Sequence, residues 1–497
     1  MPIQANRQTA PRLARLNLIG LAVLSALTGC AAIPQTPKAV ALKAPADFAA
    51  TASLAAPESA WPQNEWWRAY GDPQLDTLVA EALRDSPTLD IAVARLRGAE
   101  AVTQFAGAAL KPTVTGGAEF TEERQSYNYL MPRAAVPQGW KDYGQMSLNF
   151  GWELDFWGKN RAALAAAVSE QRAREVEVAE TRLMLSAAVV LNYSELVHLY
   201  STRDTLAAAL TVRTRTLDLV RQRQTHELLT LDTVRQAEAR RAAAQAELQV
   251  LDERVRLQKS AIAALAGAGP DRGLEIDRPT AQVTGTFGLP QNAALDLLGR
   301  RPDIVAARLR TEAAARRIEQ HKAEFYPSVN LMGVTGLLSL GLDNLAKGNS
   351  SFGSVGPAVS LPIFNTDRLK GQLRGAHAEY DAAAASYNAT LLNALHEVAD
   401  VITSREALDG EIRSLQASVD AAEEAHRIVT LRYKGELTTY LDVLAAEDVL
   451  LSAKRALADA NSRALTLHVA LVQALGGGYE QPASLSFAPI HSERNKS

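Results

Sequence analysis

Several things this chain does without narrow its possibilities at once. It holds one cysteine, Cys30, so disulfides within one chain and cysteine metal clusters are both excluded. Its eight histidines are scattered, and none forms a metal pair at helical spacing. There is no glycine loop of the phosphate-cradling kind and no Gly-x-Ser-x-Gly, and carboxylates lie along helix-like stretches among arginines, the pattern of solvated faces. Nothing here points to an enzyme, a cofactor or a metal. Past the N-terminus no segment offers 18 consecutive apolar residues, so no transmembrane helix is expected. A chain of this kind that crosses a membrane must do so with strands.

Helix breakers are missing where it matters most. Between Gly158 and Gly267 lie 108 residues without glycine or proline, and the 100 residues from Ala376 to Leu475 hold no proline and only Gly410 and Gly435. Both stretches are rich in Ala, Leu, Glu, Gln and Arg, the strong helix formers. Within them, the sixteen residues from Arg223 to Glu238 align without gaps to Arg432–Glu447, with seven identities: Arg, Glu, Leu, Thr, Val, Ala and Glu. The chain therefore reads as duplicated, each half carrying a long helical hairpin. With turns near His226 and Gly435, residues 159 to 225 form a helix of roughly 100 Å and residues 228 to 266 one of about 60 Å. Helices of that length are rods in a bundle, a coiled coil or a tube.

The first thirty residues speak to the compartment. Arg7, Arg12 and Arg15 precede a short apolar run, Leu16 to Ala26, and then Leu27-Thr28-Gly29-Cys30, which has the form of a bacterial lipobox. Leu16 to Gly29 is too short to span ~30 Å of hydrocarbon, so it reads as a cleaved signal rather than a membrane anchor. Cys30 then takes the lipid, and with no aspartate after it, outer-membrane delivery is expected. Removing a leader with three arginines and no acid shifts the formal charge from −3 to −6, which argues against nucleic acid as a partner.

The intervening segments repeat an order. A helix runs from about Pro73, and a second starts at Ser86-Pro87, with serine as cap and proline in the first turn. Pro112 to Thr121 reads as a strand, followed by a polar loop from Glu122 to Asp142. Met146, Leu148, Phe150, Trp152, Leu154 and Phe156 then alternate with polar residues, as in a strand with one apolar face; a membrane strand and a soluble sheet fit this pattern equally. In the second half Ala307-Arg-Leu-Arg310 echoes Ala94-Arg-Leu-Arg97, and strands are expected over Pro327–Leu340 and Phe352–Phe364. The expected divisions are a signal peptide (1–29), a lipidated tether (30–60), a first repeat (61–267), a linker (268–292), a second repeat (293–475) and a C-terminal segment (476–497). Four strands cannot close a barrel, and symmetric oligomerisation is the simplest way to supply the rest.

Several stretches carry a resemblance to a known family: Trp66-Trp67-Arg-Ala-Tyr-Gly-Asp-Pro-Gln-Leu75, Trp152-Glu-Leu-Asp-Phe-Trp-Gly-Lys-Asn-Arg161 and Leu297-Leu-Gly-Arg-Arg-Pro-Asp-Ile304. Phe325-Tyr-Pro-Ser328, Leu361-Pro-Ile-Phe364 and Glu397-Val398 extend the match in the same order. With these the chain resembles the outer membrane factors, the exit ducts of Gram-negative efflux and type I secretion systems, and most nearly their lipoprotein branch serving resistance-nodulation-division pumps. The resemblance implies a mainly α fold with a membrane β-barrel portion. A long α-helical barrel would cross the periplasm, and four strands per subunit would complete a trimeric twelve-stranded barrel. It also implies a homotrimer, a periplasmic adaptor and an inner-membrane pump as partners, contact with outer-membrane lipid, and no cofactor beyond the lipid on Cys30.

Residue roles follow from the same resemblance. Asp442 lies where the family places acids facing the pore, and three copies would form an acidic ring that favours cations; the alternative is a helix-start acid favoured by the dipole. The family's usual second acid is Ala445 here, with Glu447 or Asp448 as candidates to compensate, and Asp232 stands beside Thr233, the counterpart of Asp442. Arg223, His226, Glu227, Leu228 and Thr230, with Arg432, Gly435, Glu436, Leu437 and Thr439, are the tip residues expected to dock the adaptor and lock the hairpins. Ordinary turn chemistry, duplicated, is the alternative. Gly435 is expected to supply positive φ, and His226 at the matching place puts the first turn's geometry in question. Trp66-Trp67 and Arg300-Arg301 with Asp303 are expected to be structural. Rival readings are a helical adaptor or scaffold lipoprotein, and a lipoprotein enzyme, for which no clustered acid, base or metal ligands are found.

Overall fold

The computed structural model describes residues 39–50, 52–281, 287–362 and 365–482. The expected signal peptide, the expected lipid site Cys30, and Phe364 of the second strand pair lie outside the described residues.

The order of elements in the first half recurs in the second. The first half holds α1 (Pro73–Asp85), α2 (Pro87–Ala108), β1 (Thr113–Glu123), β2 (Lys141–Leu154), α3 (Lys159–Thr225) and α4 (Leu231–Leu265), closed by the single turn α5 (Asp271–Leu274). The second holds α6 (Ala293–Arg300), α7 (Pro302–Ala323), β3 (Ser328–Leu340), β4 (Ser351–Ser360), α8 (Thr366–Lys434) and α9 (Tyr440–Ala474). The described residues are thus mostly helical with four antiparallel strands. α3 covers 67 residues with neither glycine nor proline, and α8 covers 69 without proline, running through Gly371, Gly375 and Gly410. One window of α3 is apolar enough to span a membrane by composition, yet half of it is buried, with Val189, Val190, Tyr193 and Leu196 packed in a core. That is the signature of a packed helix.

By its contacts the chain divides into two units. One takes Arg97–Gln171 and Arg308–Ala385 together with the residues up to Ala41. Its four strands form a meander in the order β1-β2-β3-β4. Pairing sets Val114 against Phe150, Phe150 against Gly333 and Gly333 against Val355, so these share a face. The same face carries Phe120, Met146, Leu148, Trp152 and Val359, all exposed. Glu119, Gln145, Ser147, Asn149 and Glu153 lie on the other face, which β3 interrupts with Met332 and Leu338. β1 and β4 are edges without a partner strand among the described residues.

β2 ends at Leu154, short of the expected Phe156. The reason is Asp155, whose carboxylate accepts hydrogen bonds from Asn160 N (3.2 Å) and Arg161 N (2.9 Å) and so caps the start of α3. Beyond it the Trp157 ring stacks on Tyr326 at 4.7 Å, and its Nε1 donates to Pro327 O. Phe325, Leu369 and Leu373 make the small core there.

The other unit takes Leu42–Leu96, Arg172–Ala307 and the residues from Ser386 onward. Trp66 and Trp67 are buried edge to face in its largest core, a structural place as expected. The motif that follows them is a helix start: Gly71 adopts φ 67°, Asp72 caps α1, and Pro73 takes the first turn. Asp72 is buried, which alone raises its pKa. Hydrogen bonds from Tyr193 Oη (2.7 Å), Thr280 N and Gln74 N outweigh burial and hold it below the usual carboxylate value. Buried Arg301 forks onto Asp303 and also donates to Glu397 Oε2 (2.6 Å) and the Ala474 carbonyl. Where α9 ends, Gly476 sits at φ 87°, and a Cβ there would lie 1.9 Å from the Arg300 carbonyl oxygen, so only glycine fits.

Candidate functional site at the hairpin turns

The residues singled out for gating and docking fall on the two hairpin turns, the ends of α3 and α8 that lead into them, the start of α4 and the first nine residues of α9, within one unit. The turns are built alike. Leu228 N donates to Arg223 O (3.0 Å) and Glu227 N to Gln224 O (2.9 Å); Leu437 N donates to Arg432 O (2.9 Å) and Glu436 N to Tyr433 O (3.1 Å). These paired bonds close α3 and α8 with Schellman-type caps, in which one residue must be left-handed. That residue is Glu227 at φ 57° and Glu436 at φ 63°, while Gly435 keeps a negative φ. The expectation for Gly435 is thereby corrected: positive φ falls one residue later, on the glutamate common to both turns. His226 therefore raises no conformational difficulty. Leu228 and Leu437 follow, 64% and 72% exposed, and Thr230 and Thr439 take extended N-cap positions. The return helices accordingly start at Leu231 and Tyr440, and the first begins three residues later than expected.

A left-handed glutamate is unfavourable by roughly 1–2 kcal/mol relative to a right-handed one. Glu227→Gly and Glu436→Gly are each expected to stabilise the hairpin by about 1 kcal/mol, read as slower amide hydrogen exchange in the adjoining helix ends. Unchanged or faster exchange would show that the carboxylates make compensating contacts.

The turns are joined across the hairpins. The Arg223 guanidinium lies 4.9 Å over the Tyr433 ring and points at the Tyr433 and Lys434 carbonyls, the end of α8 where a helix favours positive charge. Leu217, Val220 and Val234 of the first hairpin pack with Tyr433, Tyr440, Val443 and Leu444 of the second. Further in, Arg213 Nε donates to Glu447 Oε1 at 2.8 Å, both side chains less than a tenth exposed. Asp448 completes this cluster at the surface, 3.5 Å from Arg213 Nη2 and accepting from Arg240 Nη1 at 2.7 Å. Burial, with Glu447's charge nearby, raises Tyr440's pKa to about 12 and keeps the phenol neutral. Sequence reasoning missed Arg213, Arg240, Tyr433 and Tyr440; only Tyr433 and Tyr440 fall inside the repeated motif.

Asp442 is exposed at the start of α9. Its Oδ2 accepts from Thr438 Oγ1 (2.6 Å), Thr439 N (3.0 Å) and Thr439 Oγ1 (2.7 Å), and these bonds hold its pKa down at about 2. In the single chain it is therefore a charged capping acid. Asp232, at the start of α4, is likewise exposed, and a hydrogen bond from the Thr230 side chain lowers its pKa. Arg432 is exposed. Among the described residues no three His, Cys, Asp or Glu side chains are grouped so as to hold a metal.

A family model described as outer membrane efflux protein matches residues 78–268 and 294–477. The fusaric acid resistance protein FusA of Burkholderia cepacia is 36% identical over 73% of this chain and 69% of its own length. The multidrug resistance outer membrane protein MdtP of Escherichia coli K12 is 29% identical over 96% of this chain and 98% of its own. Among solved structures, the outer membrane protein VceC of Vibrio cholerae superposes with a TM-score of 0.80 at 46% identity, covering 84% of this chain and all of that one. The outer-membrane channel OprN gives 0.76 at 28% identity, covering 90% and 99%.

Proposed function

Because the chain belongs to the family of outer membrane efflux proteins, which are channels and not enzymes, we propose that it is the outer-membrane exit duct of a tripartite efflux system. The carrying observation is the four-stranded sheet, with its apolar face and two unpartnered edges. Four strands leave every edge carbonyl and amide unsatisfied in lipid, whereas three copies joined β4 to β1 give a closed barrel of twelve. The helical hairpins then continue the duct into the periplasm. Such a duct is passive: an inner-membrane pump of the resistance-nodulation-division type drives solute, and a periplasmic adaptor joins pump to duct. Drugs or other small toxic solutes are the proposed cargo, supported by the names of the fusaric acid and multidrug resistance relatives.

Exposed Leu228 and Leu437, with the flanking Glu227, Glu436, Thr230, Thr439, His226, Arg432 and Gly435, form the proposed adaptor-docking tips. Asp442 and Asp232, at the starts of the return helices, line the proposed entrance, with Asp448 beside them. Glu447 acts by holding the hairpins together rather than as a free pore carboxylate, an assignment its burial against Arg213 supports. The lipid on Cys30 anchors the subunit.

The test is reconstitution. Purified protein in a planar bilayer is expected to run as a trimer and give small, cation-selective unitary currents, and the native protein should resist carbonate extraction. Release by carbonate together with absence of current would remove the duct and favour a helical scaffold.

A further inference from the structure

The apolar face of the sheet is not flat. Across its middle runs a groove of about 510 Å³, floored where Gly333 and Gly353 carry no side chain and walled by Val114, Leu148, Phe150 and Val355. At Gly333 packing does not force glycine, since a Cβ would meet Phe150 Cβ and Val355 Cγ2 at 3.7 Å, ordinary contact distance, whereas one on Gly353 would come within 3.2 Å of the Val334 carbonyl oxygen. The space therefore stands open to something apolar. Crossing three strand spacings, it spans about 14 Å, enough to seat much of a fatty acyl chain. Its depth is also defined. Phe150 and Leu148 precede the end of β2 at Leu154 by four and six residues, so the groove lies about 10–20 Å along the strand from its foot. In a tilted barrel with a ~30 Å apolar band, that is the leaflet nearer the helices.

The N-terminal segment leads toward the same place. Val40 N donates to Asp381 Oδ1 at 2.9 Å. Asp381 stands fifteen residues into α8, about 22 Å along the helix from Thr366, where it emerges below the sheet. The ten residues back from Val40 to Cys30 can reach up to ~36 Å. Cys30 can therefore be brought to the foot of the sheet with length to spare.

We propose that this groove seats an acyl chain of the lipid carried by the same polypeptide's Cys30. The inference rests on reading Cys30 as acylated and the sheet as lipid-facing. It makes the lipid part of the barrel wall, held at one place on the apolar face, instead of an anchor free to wander in the leaflet.

Photo-crosslinking tests it. Benzoylphenylalanine would replace Val355, in the groove wall, or Phe120, exposed on the same face and farther from the foot of the sheet than the groove. The full-length protein would be photolysed in its native membrane and its tryptic peptides weighed. Attachment of the acylated N-terminal peptide is expected at position 355 several-fold above position 120, and Gly333→Leu, which fills the floor, is expected to abolish the difference. Carbonate extraction shows whether that variant still inserts, and the comparison of positions 355 and 120 in the otherwise wild-type chain stands without it. Equal attachment at both positions, or capture of free phospholipid alone at 355, would overturn the proposal. An N-terminal peptide lacking acyl mass before photolysis would overturn it differently, by sinking the Cys30 reading itself.

Discussion

Glu447→Ala is expected to loosen the two hairpins from one another and to leave the resting channel conducting. The carboxylate is the closest partner of Arg213, at 2.8 Å, and both side chains are almost wholly buried. Removing one member of such a pair strands the other charge and costs about 3–5 kcal/mol. Asp448, 3.5 Å from the same guanidinium and half exposed, remains to offset part of that, which places the expectation near 3 kcal/mol. At about 1.4 kcal/mol per decade, amide exchange in the first turns of α9 and the last turns of α3 should accelerate by roughly a hundred-fold, while exchange in the core around Tyr193 stays as it was. In a planar bilayer the same variant should show a larger resting conductance. Arg213→Met with Glu447→Met supplies the control, because a buried ion pair replaced by apolar side chains of similar volume is commonly neutral or stabilising. The double variant should recover slow exchange and small currents. Fast exchange without added current would leave a structural pair that does not hold the channel shut.

The long helices were legible because they rest on an absence, 108 residues without a breaker, and α3 begins and ends where that absence and the repeated turn predict. Strands were legible by alternation, but their ends were not. β2 ends at Leu154 because Asp155 caps α3, a bond to amides five and six residues on that periodicity does not register. The turns teach a finer lesson. Glycine is the habitual marker of positive φ, and Gly435 drew the inference, yet the conformation is carried by Glu227 and Glu436. Both glutamates were already visible among the identities of the repeat; identity between the halves was a better guide to backbone geometry than residue type. Arg213 and Glu447 lie 234 positions apart, on helices whose charges look alike from end to end. Nothing local distinguishes a buried arginine from a solvated one, so that pair emerges only when the hairpins are packed.

Asp442 can be asked directly whether it is a pore charge or only a cap. Its Oδ2 takes three hydrogen bonds from Thr438 and Thr439, and asparagine retains an oxygen for them while removing the charge. Asp442→Asn is therefore expected to preserve the start of α9 and yet reduce cation preference several-fold, measured as reversal potential under a salt gradient. Asp442→Ala should lose both, with faster exchange at Thr439 to Val443. The pH dependence carries the sign. A carboxyl lowered from 3.8 to about 2 is stabilised in its charged form, so its contribution is complete above pH 4–5 and is lost as pH falls through about 2. Cation preference in the wild type should thus persist at pH 4, where an unperturbed aspartate is near half neutral, and vanish only in stronger acid. Three such carboxylates crowded into a narrow ring would repel and push the midpoint the other way. A midpoint well above 4 would show that repulsion exceeds the capping bonds, and hence that the ring is tight. A midpoint near 2 with selectivity still dependent on Asp442 would place the three acids around a wider opening. Selectivity indifferent to both Asn and acid would leave Asp442 as the cap of α9 alone, and the entrance charge would then have to be sought at Asp232 or Asp448.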